Sequence, residues 1–125
     1  INQDRLQAHA IEAAEQCGGT YVPKVHKICK LTSTLEKWPD NRNIFFCNED
    51  NLKPVGKLSK LPKGAWAIFI GPEGGFSKKE KTLFMQHPKT FSISLGPRIL
   101  RADTAAISAL TLWQSHFGDW NEHYD

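Results

Sequence analysis

The sequence lacks any apolar run near the ~18 residues that a membrane helix needs, so no bilayer span is expected. No signal peptide is visible either. Cysteine is scarce: Cys17, Cys29 and Cys47 are odd in number and form no C-x-x-C pair. That argues against a disulfide framework or a zinc site, and a reducing cytoplasm is the expected compartment. The histidines His9, His26, His87, His116 and His123 show no ligand spacing, and no metal is expected. There is little excess charge of either sign. A formal net charge of +3 permits an RNA partner without arguing for one. Neither a Gly-Lys-Ser/Thr phosphate loop nor a G-x-G-x-x-G dinucleotide fingerprint occurs. Internal repeats and low-complexity segments are also absent.

What is present is a soluble globular composition, with 40% hydrophobic and 23% charged residues. The 125 residues fit one domain with one core. The chain starts at Ile1 rather than Met and enters a helical pattern almost at once. It is therefore expected to be a fragment of a longer protein.

Leu6, Ala10, Ala13, Ala14 and Cys17 recur at helical spacing, and Gly18-Gly19 stops that helix. Thr20-Tyr21-Val22 before Pro23 reads as extended. Ser33-x-x-Glu36 is a capping-box pattern that predicts a short helix from Thr32 or Ser33 to Trp38. Asn43 to Cys47 is short, apolar and aromatic, as a buried parallel strand is. Residues 48–64 read as a loop, with Lys53, Lys57, Lys60 and Lys63 as a solvated face before any RNA contact. Ala65 to Ile70 is the clearest strand. Ser77-x-x-Glu80 opens a helix through about Met85, and Phe91 to Leu95 alternates as a further strand. The last helix is predicted from about Asp103 to Phe117. Ala106, Leu110, Trp113 and Phe117 form one stripe, while Ala105, Ile107, Ala109 and Leu112 make its other faces apolar too. A helix apolar nearly all round is buried on several sides, which suggests a subunit interface as well as a core. Trp38, Trp66, Trp113 and Trp120 are expected in the core or an interface. The fold class is α/β, with helices alternating with a mainly parallel sheet.

Two strand ends break into unusual loops. Ile70-Gly71-Pro72-Glu73-Gly74-Gly75-Phe76 follows one, and Leu95-Gly96-Pro97-Arg98-Ile99-Leu100-Arg101 follows the other. Such corners make a ligand crevice in an α/β domain. Glycines let backbone groups approach a ligand closely, although a tight structural turn would use them as well. Arg98 and Arg101 in one loop are suited to phosphate or oxyanion recognition. Asp103 or Thr104 beside them could instead cap the last helix.

Ile70-Gly71-Pro72-Glu73-Gly74-Gly75-Phe76-Ser77, together with Leu95-Gly96-x-Arg98-Ile99-Leu100-Arg101-x-Asp103-Thr104-Ala105, resembles the RsmE family. Ile11-Glu12-Ala13-Ala14-Glu15-Gln16-Cys17-Gly18 resembles that family's first motif helix. These are bacterial SPOUT-superfamily enzymes that use S-adenosylmethionine to methylate N3 of a uridine in the ribosomal RNA of the small subunit. The resemblance covers nearly the whole chain. It implies a SPOUT fold whose C-terminal segment forms a deep trefoil knot, and a homodimer. It makes residues 1–125 a C-terminal methyltransferase domain without the family's N-terminal RNA-binding barrel and first strand. Carried over, it implies cofactor binding by Ile70, Gly71, Gly74, Gly75, Leu95, Gly96, Ile99, Leu100 and Ala105, with Thr104 near the cofactor or substrate; Glu73 is a further cofactor-binding candidate on its charge. The resemblance makes Arg98, Arg101 and Asp103 the catalytic candidates. The family has Glu where this chain has Asp103, and Arg where it has Gly19.

Uridine N3 carries a proton, so its methylation needs a base or a cation that stabilises the anion. Arg98 or Arg101 is the expected cation, or else grips the adjacent phosphate. Asp103 is the candidate proton acceptor. Glu73 either balances the sulfonium charge or offsets a helix dipole. Two other readings stand beside this one: a ribose 2′-O-methyltransferase, and a non-catalytic dimerisation or RNA-binding fragment.

Overall fold

The computed structural model describes residues 2–48, 58–96 and 98–121. The expected single domain divides into two compact units, Ile1–Lys30 and Leu31–Asp125.

In the first unit, helix α1 spans Gln3–Gln16. Asn2 caps its start by accepting from the Arg5 amide at 3.0 Å. Its end closes through Gly18 N–H to the Glu15 carbonyl and Gly19 N–H to the Ala14 carbonyl, the paired pattern of a glycine-terminated helix. The segment beyond runs back along α1 without joining a sheet. Its backbone is held by glutamine side chains instead. The Gln7 amide donates to the Pro23 carbonyl at 2.9 Å and accepts from the Val25 amide at 2.7 Å. Gln3 donates to the Val25 carbonyl at 2.9 Å.

The second unit contains helix α2 (Leu31–Glu36), strand β1 (Arg42–Cys47), strand β2 (Ala65–Phe69), helix α3 (Lys78–Gln86), strand β3 (Thr90–Ile93) and helix α4 (Ala102–His116). Helix α2 begins a residue or two ahead of the sequence expectation. The strands form a parallel sheet in the order β2-β1-β3. Phe45 is in register with Ile68 on one side and Phe91 on the other. The loop expected over residues 48–64 falls largely outside the described residues, as do Lys53 and Lys57; Leu58–Lys60 forms one short helical turn.

The central strand explains the layering. Alternate residues of a strand face opposite sides of the sheet. Ile44 and Phe46 point into a cluster with Leu35 and Phe84, joined by Trp38, Phe69 and Phe76. Phe45 points the other way, into a cluster with Leu58, Trp66, Ile93 and Ala109, joined by Leu112, Trp113 and Phe117. Ile44, Phe45, Phe46 and Phe84 are fully buried. Helices α2 and α3 therefore cover one face and α4 the other. Phe84 is the hub of the first cluster. It stacks on Phe46 at 4.4 Å between ring centroids and meets Phe69 and Phe76 at 4.9 and 5.2 Å. Trp66 plays the same part on the α4 face, against Phe91 and Phe117.

Helix α3 starts with the capping box that the sequence predicts. Ser77 Oγ accepts from the Glu80 amide at 3.1 Å, and the Glu80 carboxylate accepts from the Ser77 amide at 2.7 Å. Strand β3 ends two residues earlier than expected. Just beyond its end, the Ser94 hydroxyl accepts from the Gly96 amide at 3.1 Å. The α4 stripe also differs from expectation. Trp113 and Phe117 pack inward with Ala109 and Leu112. Leu110 and Ile107, however, are 53% and 67% exposed. Trp120 sits exposed on a short helical turn, Asp119–Asn121.

Replacing Phe84 with Ala is expected to destabilise the protein by about 3–5 kcal/mol, the usual loss for a buried aromatic hub. A urea unfolding curve would check this. A shift below ~1 kcal/mol would mean that the α3 layer contributes little to the fold.

Candidate cofactor crevice

The three parallel strands end on the same edge, and the crevice lies there. The order β2-β1-β3 puts the loop after β2 and the loop after β3 on either side of the end of β1. Ile70, Gly71, Pro72, Glu73, Gly75 and Phe76 line it from the first loop. Leu95, Gly96, Arg98 and Leu100 line it from the second, followed by Ala102 and Ala105 at the start of α4. Cys47 and Asn48 close it between them, and Lys81 reaches it from α3. The crevice has a cavity volume of about 60 Å³.

The first loop is held in shape by the core. Gly75 N–H donates to the Pro72 carbonyl at 2.8 Å, closing a tight turn. Phe76, the next residue, inserts into the aromatic cluster against Phe46 and Phe84. Its ring lies over Gly71. A Cβ built on Gly71 would come within 3.1 Å of Phe76 Cδ2 and 3.2 Å of its backbone nitrogen, so a side chain there would require Phe76 to give by a few tenths of an ångström. Gly74 is different: a Cβ there would meet nothing within 4 Å.

The second loop is pinned by Ser94, which is buried. Its hydroxyl accepts from the Gly96 amide and donates to the Gly96 carbonyl at 3.4 Å. Gly96 has a φ of +105°, a region that L side chains rarely occupy. Farther along, Arg101 is the N-cap of α4 without a side-chain cap hydrogen bond. Neither Asp103 nor Thr104 is therefore the cap that the sequence allows. Asp103 lies in the first turn, where its carboxylate favours the helix dipole and accepts from the Thr104 amide at 2.8 Å. Glu73 belongs to the Pro72–Gly75 turn, and Glu80 is the acidic residue in the first turn of α3. Glu73 thus lies ahead of the first turn of α3.

Of the residues expected around a cofactor, Ile70, Gly71, Glu73, Gly75, Leu95, Gly96, Leu100 and Ala105 meet in the crevice, as does Arg98. Gly74, Ile99, Arg101, Asp103 and Thr104 are not in its lining. Ile99 is 77% exposed. Arg101 Nε lies 3.7 Å from Asp103 Oδ1, in a pair 86% and 70% exposed, respectively. Such an exposed pair holds neither group rigidly.

Sequence reasoning missed Cys47, Asn48, Pro72, Phe76, Lys81 and Ala102. A signal existed for two of them. A parallel strand ending at Cys47 has its C-terminal edge among the binding loops. Lys81 lies three residues before Phe84, so it shares the inward side of α3. The Cys47 thiol is pushed from an ordinary 9.0 up to about 12 by burial. It stays protonated, hence a poor nucleophile, throughout the neutral range. Among the described residues no group of three or more His, Cys, Asp or Glu is placed to hold a metal ion. No helix among them is long and apolar enough to cross a membrane.

A family model for the RNA methyltransferase domain matches residues 1–114. The chain belongs to this family. The resemblance read from the two loops is borne out by its relatives. Ribosomal RNA small subunit methyltransferase E of Rickettsia conorii is 37% identical over 113 residues, covering 88% of this chain and 46% of the relative. The enzyme of the same name from Bacillus subtilis is 32% identical over 116 residues, covering 87% and 45%. The crystal structure of ribosomal RNA small subunit methyltransferase E from Neisseria gonorrhoeae, bound to S-adenosyl methionine, superposes with a TM-score of 0.85 at 30% identity. It covers 95% of this chain and 49% of that one. The mixed α/β architecture with its parallel sheet is thus that of these methyltransferase structures. The chain spans about half the length of the relatives it matches.

A thiol-reactive dye at pH 8 is expected to label the exposed Cys17 and Cys29 rapidly in the native protein and Cys47 only after denaturation. Equal labelling rates at all three sites would contradict the burial of Cys47. The same shift has a stability sign. The unfolded thiol loses its proton near 9.0 and the folded one near 12, so this group's contribution is intact below pH 9 and declines as pH rises from there toward 12.

Proposed function

We propose that this chain is the cofactor-binding methyltransferase domain of an enzyme that methylates N3 of a uridine in small-subunit ribosomal RNA with S-adenosylmethionine. The observation that carries the reading is the convergence of both family motif loops on one crevice. The lining fits the cofactor. Ile70, Leu95, Leu100 and Ala105 offer apolar surface to a flat purine, the glycine corners leave backbone groups within reach, and Glu73 is an anion for a cationic tail. When bound, S-adenosylmethionine supplies a methyl group on a positively charged sulfur.

The protein's own part is positioning and charge. Main chain around Gly71, Gly75 and Gly96 fixes the orientation of the bound molecule, and fixed geometry lowers the barrier of an in-line displacement. Gly74, Ile99 and Thr104 belong to the same two loops and are proposed to close over it. Glu73 opposes the positive charge at the sulfur. Arg98, the arginine in the crevice lining, stabilises the uracil anion left when N3 loses its proton. Asp103 accepts that proton. Arg101, exposed beside Asp103, grips the adjacent phosphate of the RNA.

The knot and the homodimer belong to the same proposal. The likeness to the Neisseria structure across 95% of the chain supports the knotted SPOUT topology. Exposed Ile107 and Leu110 on α4 support a second copy as the partner. Residues 1–125 would then act beside an N-terminal RNA-binding barrel, in the cytoplasm.

Titration with S-adenosylmethionine is expected to show binding by the wild-type chain. Within the enzyme carrying the RNA-binding part, Arg98→Ala and Arg101→Ala are each expected to reduce N3-methyluridine formation by ~100-fold while changing cofactor affinity less than threefold. Unchanged turnover in both variants would end the assignment of the arginines. A ribose-methylated product would replace the base-methylation reading, and failure of the chain to bind cofactor would favour a non-catalytic scaffold.

A further inference from the structure

The crevice has one charged group that neither loop supplies. Lys81 lies on α3, one helical turn before the buried Phe84. Its neighbours Lys78 and Lys79 are exposed, whereas Lys81 is half-buried and lines the crevice. A lysine can lay its methylene stem along an apolar wall while its ammonium stays among polar groups. The helix that carries it is well defined. Ser77 and Glu80 cap that helix reciprocally, and the Lys81 amide donates to the Ser77 carbonyl at 2.9 Å. Phe84 anchors the next turn in the core.

Charge then sorts the lining. Among the described residues, the lining holds one carboxylate, Glu73, and two cations, Arg98 and Lys81. The tail of S-adenosylmethionine carries an ammonium and a sulfonium, which call for an anion, and one carboxylate, which calls for a cation. Arg98 is exposed in the loop after β3. Lys81 is the more buried of the two cations and belongs to a rigid element. We infer that Lys81 is the binding residue for the carboxylate of the cofactor's amino-acid tail. The inference rests on the methyltransferase reading and adds to it a role outside both motif loops. It makes this part of the site selective for cofactors that keep the amino-acid tail.

The test compares three ligands by isothermal titration of the 125-residue chain. S-Adenosylmethionine and S-adenosylhomocysteine both carry the carboxylate, and methylthioadenosine does not. Lys81→Met keeps the stem and removes the charge. It is expected to weaken the first two ligands about tenfold or more, as loss of a charged hydrogen bond does, and to leave methylthioadenosine within twofold. Lys81→Arg should recover part of the loss. Equal weakening of all three ligands would mean a merely structural role and overturn the inference. So would undiminished affinity for S-adenosylmethionine, or a loss confined to RNA binding. If the wild-type chain bound none of the three, the methyltransferase reading itself would fail, an outcome separate from a wild type that binds and a Lys81→Met variant that binds equally well.

Discussion

Everything in the second unit depends on burying one strand from both sides. Ile44, Phe45 and Phe46 are consecutive and fully buried, which is possible only for a central strand with covered faces. That requirement recruits α2 and α3 to one side and α4 to the other. It also fixes which loops become neighbours. With β1 in the middle, the turns after β2 and β3 flank its end, and two segments far apart in sequence share a crevice. The site is thus a by-product of sheet order, and the sheet order is held by hydrophobic burial.

Each loop is then tied down by a different force. The first is held by packing, with Phe76 drawn into the aromatic cluster of Phe46 and Phe84 and Gly71 pressed against its ring. The second is held by hydrogen bonds, with the buried Ser94 hydroxyl meeting both backbone groups of Gly96. An apolar anchor is insensitive to the polarity of what enters the crevice. A hydrogen-bonded anchor is not, since any ligand that engages Gly96 must share or replace the Ser94 contacts.

Much of this was legible in the sequence because the signals were local. The Ser77–Glu80 box needs only three residues of separation, and its two hydrogen bonds form as the pattern predicts. The apolar runs at residues 43–47 and 65–70 are strands within a residue of their expected limits. What stayed hidden was set by tertiary packing. The sequence of α4 is apolar around most of its circumference, so nothing in it says that Ala109 faces the core while Ile107 and Leu110 face out. The side-chain contacts of Ser94 with Gly96 beyond β3 are likewise not spelled out by alternation. Asn48 and Lys81 entered the site through strand order and helix phase, which no motif spells out. The glutamine clamps on the segment after α1 were equally invisible, because they join residues separated by a turn of no regular type.

Phe76 has a double membership, as a wall of the crevice and as a member of the core. Its aromatic face supports Phe46 and Phe84, and the same ring limits what position 71 can carry. Descendants of this sequence therefore cannot resize that wall without also repacking the interior, and changes at 71, 76 and 84 should be inherited as a group. The route to a new ligand preference is open elsewhere, at solvent-facing positions such as Gly74, where a side chain has room and no structural partner to disturb.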